Sequence, residues 1–215
     1  MFMDGKEDGE VEKKAQDILE ETDMTMVEYK TPLDSFIGGW IIDRKICEDL
    51  IKFFEKNKKR QIEGKVGGTV TQRVDHKMKK STEIHMYGAD SVFDAYNEQL
   101  QICLEKYMKR YPEIPNRYAS FHATIEGYNI QKYGPNDGFY DWHCERDNGE
   151  SKRCLVFMTY LNDVNDGGTE FKYQKIKTDA KCGLTLIWPT DFTHIHRGVI
   201  TDETKYILTG WYNYV

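Results

Sequence analysis

A chain of 215 residues with 39% hydrophobic and 31% charged residues is long enough for one domain with a substantial core, and that balance excludes both a disordered and a membrane-embedded polypeptide. A net charge of −6 argues against nucleic-acid binding by the surface as a whole, while leaving room for a local basic groove. Five cysteines (Cys47, Cys103, Cys144, Cys154 and Cys182), an odd number without a CxxC pair, do not read as a disulfide framework, so a reducing, cytoplasmic setting is expected. The N-terminal run lacks the apolar core of a signal peptide, and no stretch is apolar and long enough to span a bilayer.

Residues 1–25 are expected to be an acidic tail, or a short helix over Val11–Glu21, and 26–215 a single domain. Phe36–Ile42 (FIGGWII) reads as a strand weakened by two glycines. Asp43 follows as an N-cap for the helix RKICEDLIKFFEKNKKR. There Ile46, Leu50, Phe53 and Phe54 recur at helical spacing, and basic residues crowd the C-terminal end as the dipole prefers. Gly64–Met86 is polar and Gly-containing, with His76, His85 and the basic run Lys77–Lys80; irregular strands and a mobile loop are expected. A second helix is predicted over Asp90–Arg110, lined by Phe93, Tyr96, Leu100, Cys103, Leu104 and Tyr107 and ended by Tyr111-Pro112.

The remainder changes texture. Phe121–Tyr133, Cys154–Leu161, Thr169–Ile176, Leu184–Trp188, His194–Ile200 and Tyr206–Tyr214 read as strands punctuated by Gly, Pro, Asn and Asp. Short strands at this spacing make a sandwich or barrel. With the helices confined to the first half, the fold class is α+β: helices packed on one sheet of a jelly roll.

His143-Cys144-Glu145 is an HxE pair, the one HxD or HxE in the chain. In a strand its imidazole and carboxylate share a face, as two ligands of one metal must. Alone it is weak, because 36 acidic residues and six His supply about one such pair by chance. His194 and His196 lie later, and Lys205 nine residues beyond His196. In KYILTGW, Lys205, Ile207, Thr209 and Trp211 alternate onto one face. Two His and one carboxylate form a facial triad that leaves metal positions open, and an inward cation can neutralise an oxoacid's far carboxylate. His194 and His196 share a face in a regular strand, so the choice between them stays open here; the spacing to Lys205 favours His196. Zinc on Cys and His is a rival, but the cysteine spacing fits no zinc pattern. Cys144 alternates away from the ligands and is expected to be inert. Arg197 points away from the metal, yet near the mouth it could meet an anionic substrate. Tyr140 and Trp142 suit either the substrate entrance or the core.

With these residues in place, the chain resembles the prolyl 4-hydroxylase-type branch of the 2-oxoglutarate/iron(II) oxygenases. Their fold is a double-stranded β-helix, the jelly roll. The resemblance covers about Ile37 to Tyr214 and is specific from Tyr128 onward. It maps the family's metal triad onto His143, Glu145 and His196, and its basic co-substrate residue onto Lys205, with Thr209 following. Tyr133, ten residues before His143, matches the family's co-substrate tyrosine, and Tyr160 belongs to the strand before a Gly-Gly turn, here Gly167-Gly168. Whether Thr169 or Glu170 then faces the site stays open. Glu145 stands where the family has Asp, one methylene longer.

The resemblance implies Fe(II), with 2-oxoglutarate and O2 as co-substrates and ascorbate as a candidate reductant. It implies hydroxylation of an unactivated C–H in a prolyl or other residue of a protein or peptide. Two alternatives stand beside it: the same chemistry on a free amino acid, small metabolite or nucleobase, and an inactive jelly-roll binding module with Glu145 as its lesion. Nothing points to nucleic acid or membrane as a partner, and the oligomeric state is open.

Overall fold

Alternation along the central strands divides the chain into two layers of core. The computed structural model describes residues 26–67, 71–86, 91–116, 121–123, 127–146 and 152–214, the side chains of 115–116 and 121–123 excepted. The N-terminal tail or helix expected over residues 1–25 lies outside them. The strands are β1 (Gly38–Ile41), β2 (Ile62–Glu63), β3 (Thr82–Met86), β4 (Phe121–Ala123), β5 (Tyr128–Tyr133), β6 (Arg153–Tyr160), β7 (Thr169–Phe171), β8 (Ile176–Lys177), β9 (Leu184–Pro189), β10 (His196–Gly198) and β11 (Lys205–Tyr214). The larger sheet runs β1-β9-β6-β11-β5-β3-β2, with β4 paired to the end of β11, and the smaller runs β10-β7-β8. The ladders among the described residues are antiparallel. This is the expected jelly roll with helices on one sheet.

Helix α1 (Arg44–Lys56) starts where expected: the Asp43 carboxylate accepts from Lys45 N at 2.8 Å, the N-cap bond that satisfies an orphan donor of the first turn. It buries Cys47, Leu50 and Phe54. Helix α2 (Asp94–Arg110), preceded by a 3-10 turn at Ser91–Phe93, buries Tyr96, Leu100, Cys103, Leu104 and Tyr107. A short α3 (Glu113–Asn116) follows. These helices cover one face of the larger sheet, made by Ile84, Ile130, Leu155, Phe157, Ile187, Leu208 and Tyr212. The alternate residues Tyr133, Val156, Met158, Tyr160, Leu186, Trp188 and Ile207 turn the other way and form a second cluster with Phe171 of the smaller sheet. That second face walls the cavity described below. No helix among the described residues is long and apolar enough to cross a membrane.

Several boundaries differ from the sequence reading. Phe121–Tyr133 is not one strand: Phe121–Ala123 and Tyr128–Tyr133 pair with β11 in different registers. Thr169–Ile176 is a hairpin turning at residues 172–175, where Lys175 takes φ 55°. His194–Ile200 breaks into a 3-10 turn (Phe192–His194) and β10. The first strand shortens to Gly38–Ile41 because Phe36 adopts φ 54° and ends a preceding turn.

Phe157 is fully buried between sheet and helices, so Phe157→Ala should cost about 3–5 kcal/mol through lost transfer energy and the cavity left behind. Urea unfolding followed by circular dichroism reads this as a lower midpoint; an unchanged midpoint contradicts the packing.

Candidate metal centre and co-substrate cavity

His143 and Glu145 converge with His196, though not by the strand alternation expected of an HxE pair. The 141–146 segment is irregular, and His143 forms a single isolated bridge to His196. His143 N donates to His196 O at 3.0 Å and His196 N returns the bond to His143 O at 2.8 Å. Two residues further on, Glu145 N and Arg146 N both donate to Thr190 O at 3.1 Å, just beyond β9. His143 and His196 are thus anchored to each other and Glu145 to the residue after β9, and this replaces the alternation of a regular strand.

The ring hydrogen bonds settle which nitrogens face inward. His143 Nδ1 lies 3.0 Å from Asp141 O and His196 Nδ1 lies 2.9 Å from His194 O. A carbonyl only accepts, so both Nδ1 atoms carry hydrogens, and the neutral rings present Nε2 lone pairs to each other's neighbourhood. Glu145 Oε1 sits 3.5 Å from His143 Nε2 and 3.4 Å from His196 Nε2. The three ligand atoms lie within 4.8 Å of one another, and among the described residues this is the one such group of His, Cys, Asp or Glu. Ligands held about 2.0–2.2 Å from one ion at right angles stand about 3 Å apart, so a small inward adjustment closes the set. Converging lone pairs repel unless a cation lies between them. The N2O donor set is that of an iron(II) facial triad.

Glu145 is held by its other oxygen. Trp211 Nε1 donates to Oε2 at 3.0 Å, and Arg153 Nη1 donates to the Glu145 carbonyl at 3.0 Å while its guanidinium covers the Trp211 ring at 3.7 Å. Burial opposes ionisation of Glu145; protonated, the His143 and His196 rings would outweigh it by hydrogen bonds and charge and hold the carboxyl well below the usual range. Phe139 stacks on His143 at 3.6 Å between ring centroids, and Trp188 meets His196 edge-on at 5.1 Å.

Behind this triad lies a cavity of about 550 Å³. Lys205, Tyr133, Tyr160 and Thr209 all line it. Lys205 is 4% exposed and pairs directly across the ladder with Tyr133, whose ring centroid lies 5.8 Å from the ammonium. Its Nζ donates to Gly167 O at 2.8 Å and Val199 O at 2.9 Å, leaving one of three ammonium hydrogens for a ligand. Burial pushes its pKa down to about 8. Tyr133 donates to Gln131 Oε1, whose amide nitrogen donates to Thr209 Oγ1 at 2.9 Å. The Tyr160 hydroxyl lies 2.6 Å from Thr169 Oγ1. The Gly-Gly turn permits this packing, because a Cβ on Gly168 would lie 1.7 Å from Thr178 O.

Residues 128–213 match the model of the 2OG-Fe(II) oxygenase superfamily. That stretch, two fifths of the chain, is what is similar to the 2OG-Fe(II) oxygenases. The oxygenase fold recurs in a viral collagen prolyl hydroxylase from Paramecium Bursaria Chlorella virus-1, solved with 2OG (17% identity, TM-score 0.59, covering 84% of this chain and 97% of that one). It recurs in a prolyl hydroxylase from Trichoplax adhaerens, solved with a hypoxia inducible factor peptide fragment (14% identity, TM-score 0.64, 98% and 94% covered). A Pseudomonas putida prolyl-4-hydroxylase aligns with 13% identity and TM-score 0.55, covering 91% of this chain and 96% of that one. No curated protein sequence matches the chain.

The other candidate residues resolve in place. His194 is buried on its 3-10 turn, with Nε2 donating to Ser35 O at 2.9 Å and Nδ1 2.9 Å from Thr193 Oγ1, so both nitrogens are occupied. Its carbonyl is what orients His196. Thr169 faces the cavity, whereas Glu170 accepts from Arg197 Nε at 2.8 Å. Arg197 therefore carries a carboxylate already and lies over Trp142, which is 37% exposed. The Tyr140 hydroxyl caps Asn136 O at 3.2 Å. Cys144 corrects the expectation of a side chain turned away: without a regular strand it is half-buried and lines the cavity. The sequence reading did not single out Arg153, Gln131, Asn129, Glu83 or Phe139, and it placed Lys79 in the basic run Lys77–Lys80, where the structure buries it. Period-2 alternation from Tyr133 back through YNIQKY could have found Gln131 and Asn129; Arg153 carries no local signal.

Manganese(II) titration read by electron paramagnetic resonance should show one site. It should be lost in His143→Ala and His196→Ala and kept in His194→Ala, which should instead melt at lower temperature. Loss in His194→Ala alone contradicts the assignment of the distal ligand.

Proposed function

We propose that this oxygenase hydroxylates an unactivated C–H in a prolyl or other residue of a protein or peptide. The observation that carries the reading is one cavity bearing two imidazole nitrogens and a carboxylate at its mouth and a buried ammonium within. Iron(II) with 2-oxoglutarate and O2 supplies the C–H oxidation, with succinate and carbon dioxide as co-products.

The protein's part is binding, orientation and exclusion of water. His143 and His196 would hold the metal through Nε2, and Glu145 through Oε1, with Trp211 fixing the carboxylate from behind. The carbonyls of Asp141 and His194 keep each imidazole in the ligating tautomer and orientation. Lys205 would pair with the far carboxylate of the oxoacid, with Tyr133, Tyr160 and Thr209 around it. Val156, Met158, Trp188 and Ile207 make the rest of that wall apolar. The Glu145 clamp argues against the reading of Glu145 as a lesion, because Trp211 and Arg153 place the longer side chain where a ligand is needed. A peptide substrate is supported by the Trichoplax relative, solved with a peptide fragment. The cavity is lined on one side by Lys65, Val66, Gln72 and Met78 of the polar loop.

The test is anaerobic Fe(II) and 2-oxoglutarate titration followed by visible charge-transfer absorption, then succinate formation in air with a panel of blocked proline-containing peptides and free amino acids. A band requiring both components, and peptide-dependent succinate, are expected; amino-acid-dependent turnover alone contradicts the substrate class, and no band contradicts the chemistry. Lys205→Ala should weaken the oxoacid by about tenfold to a hundredfold, as loss of a charged hydrogen bond does. The charged amine is the binding form, so affinity should be level below pH 8 and fall about tenfold per unit well above it. A flat profile to pH 10 contradicts the role of Lys205.

A further inference from the structure

Away from the triad, the cavity wall carries a buried charge network that neither the metal nor the oxoacid uses. Glu83 on β3 is 1% exposed and lines the cavity. Its Oε1 takes the ammonium of buried Lys79 and accepts from Ser81 Oγ at 2.7 Å. Its Oε2 lies 3.1 Å from His85 Nε2 and accepts from Asn129 Nδ2 at 3.0 Å. Burial opposes its ionisation, but the Lys79 charge and the hydrogen bonds of His85, Lys79 and Ser81 hold its pKa down at about 2.

This network decides how the Asn129 amide is turned. An ionised carboxylate only accepts, so the nitrogen of Asn129 must face Glu83 and Oδ1 must face away from it. Asn129 is 5% exposed, stands opposite both Thr209 and His85 in the ladder, and lines the cavity. Its Oδ1 is buried and has no hydrogen-bond partner among the described residues. A buried amide oxygen left unpaired costs about 1–3 kcal/mol, so an acceptor held this way awaits a donor.

We infer that Asn129 determines specificity by accepting, through Oδ1, a hydrogen bond from a backbone N–H of the bound peptide. The inference rests on the peptide-hydroxylase reading above. The surroundings select a neutral donor. A carbonyl or carboxylate would set acceptor against acceptor, and a cation would find the Glu83 charge already matched by Lys79. A prolyl residue has no N–H of its own, so on that substrate the donor belongs to a residue flanking it. Glu83 is the positioning residue: it never touches the peptide but fixes the amide that does.

The probe is the best proline-containing peptide from the panel, remade with each flanking amide replaced in turn by an ester, which removes one N–H and weakens the adjoining carbonyl as an acceptor, an effect that Asn129→Leu would share. In the wild-type protein one ester should lower kcat/KM about tenfold, the size of one hydrogen bond, chiefly through KM. Asn129→Leu should lose that discrimination, keeping only the carbonyl's share. Glu83→Gln should reduce it, because its amide no longer dictates the Asn129 orientation. The wild-type scan stands whether or not the variants fold. If every ester is as good as the amide, or Asn129→Leu still prefers the amide as strongly, the inference falls and the peptide reading stands. If no peptide in the panel supports succinate formation, the peptide reading falls and takes the inference with it.

Discussion

The site depends on one pair of backbone hydrogen bonds, the reciprocal exchange between His143 and His196. These residues lie 53 positions apart in the chain (196 − 143), and each braces the other's backbone. Their bridge joins the loop before β6 to the edge strand of the smaller sheet. The same two peptides that hold the segments together therefore set the spacing of the imidazoles. Side-chain geometry follows from this: each Nδ1 is tied to a carbonyl two residues upstream, and each Nε2 is left for the cavity. Ligand identity and ligand orientation are separate requirements, and here the backbone meets the second.

Glu145 meets the set from a different anchor. Its backbone is fixed at Thr190, and its carboxylate is shared between the imidazoles on one oxygen and Trp211 on the other. A glutamate reaches further than an aspartate, and the Trp211–Arg153 stack behind it takes up the added length. Trp211 lies on the same face of β11 as Lys205, so one strand both fixes the carboxylate ligand and carries the cation that faces the oxoacid. The register of β11 against β5 and β6 thus couples the two halves of the site. A slip of one residue would turn Lys205, Thr209 and Trp211 into the helix-packed core.

Much of this was legible in the sequence where periodicity is strong. The α1 helix with its Asp43 cap and the alternation of KYILTGW follow from spacing alone, while Tyr133 beside Lys205 followed from the family resemblance. The HxE pair was legible as a pair, but the reason for its convergence was not, since an isolated bridge leaves no periodic trace. His194 and His196 could not be separated locally. Ser35, far upstream, occupies His194 and removes it from the ligand set. The Glu83 network likewise has no motif: Lys79, Ser81, Glu83 and His85 look like a polar loop and strand until β3 packs beside β5 and buries the first three. Long-range contacts decided each of these, and composition carries no record of them.

The most direct test of the account is a crystal structure with Mn(II) and 2-oxoglutarate bound. It should show the metal on His143 Nε2, Glu145 Oε1 and His196 Nε2, with Trp211 still on the other carboxylate oxygen and Lys205 on the oxoacid's far carboxylate. A metal ligated by His194, or a Glu145 carboxylate swung away from an occupied site, would contradict it.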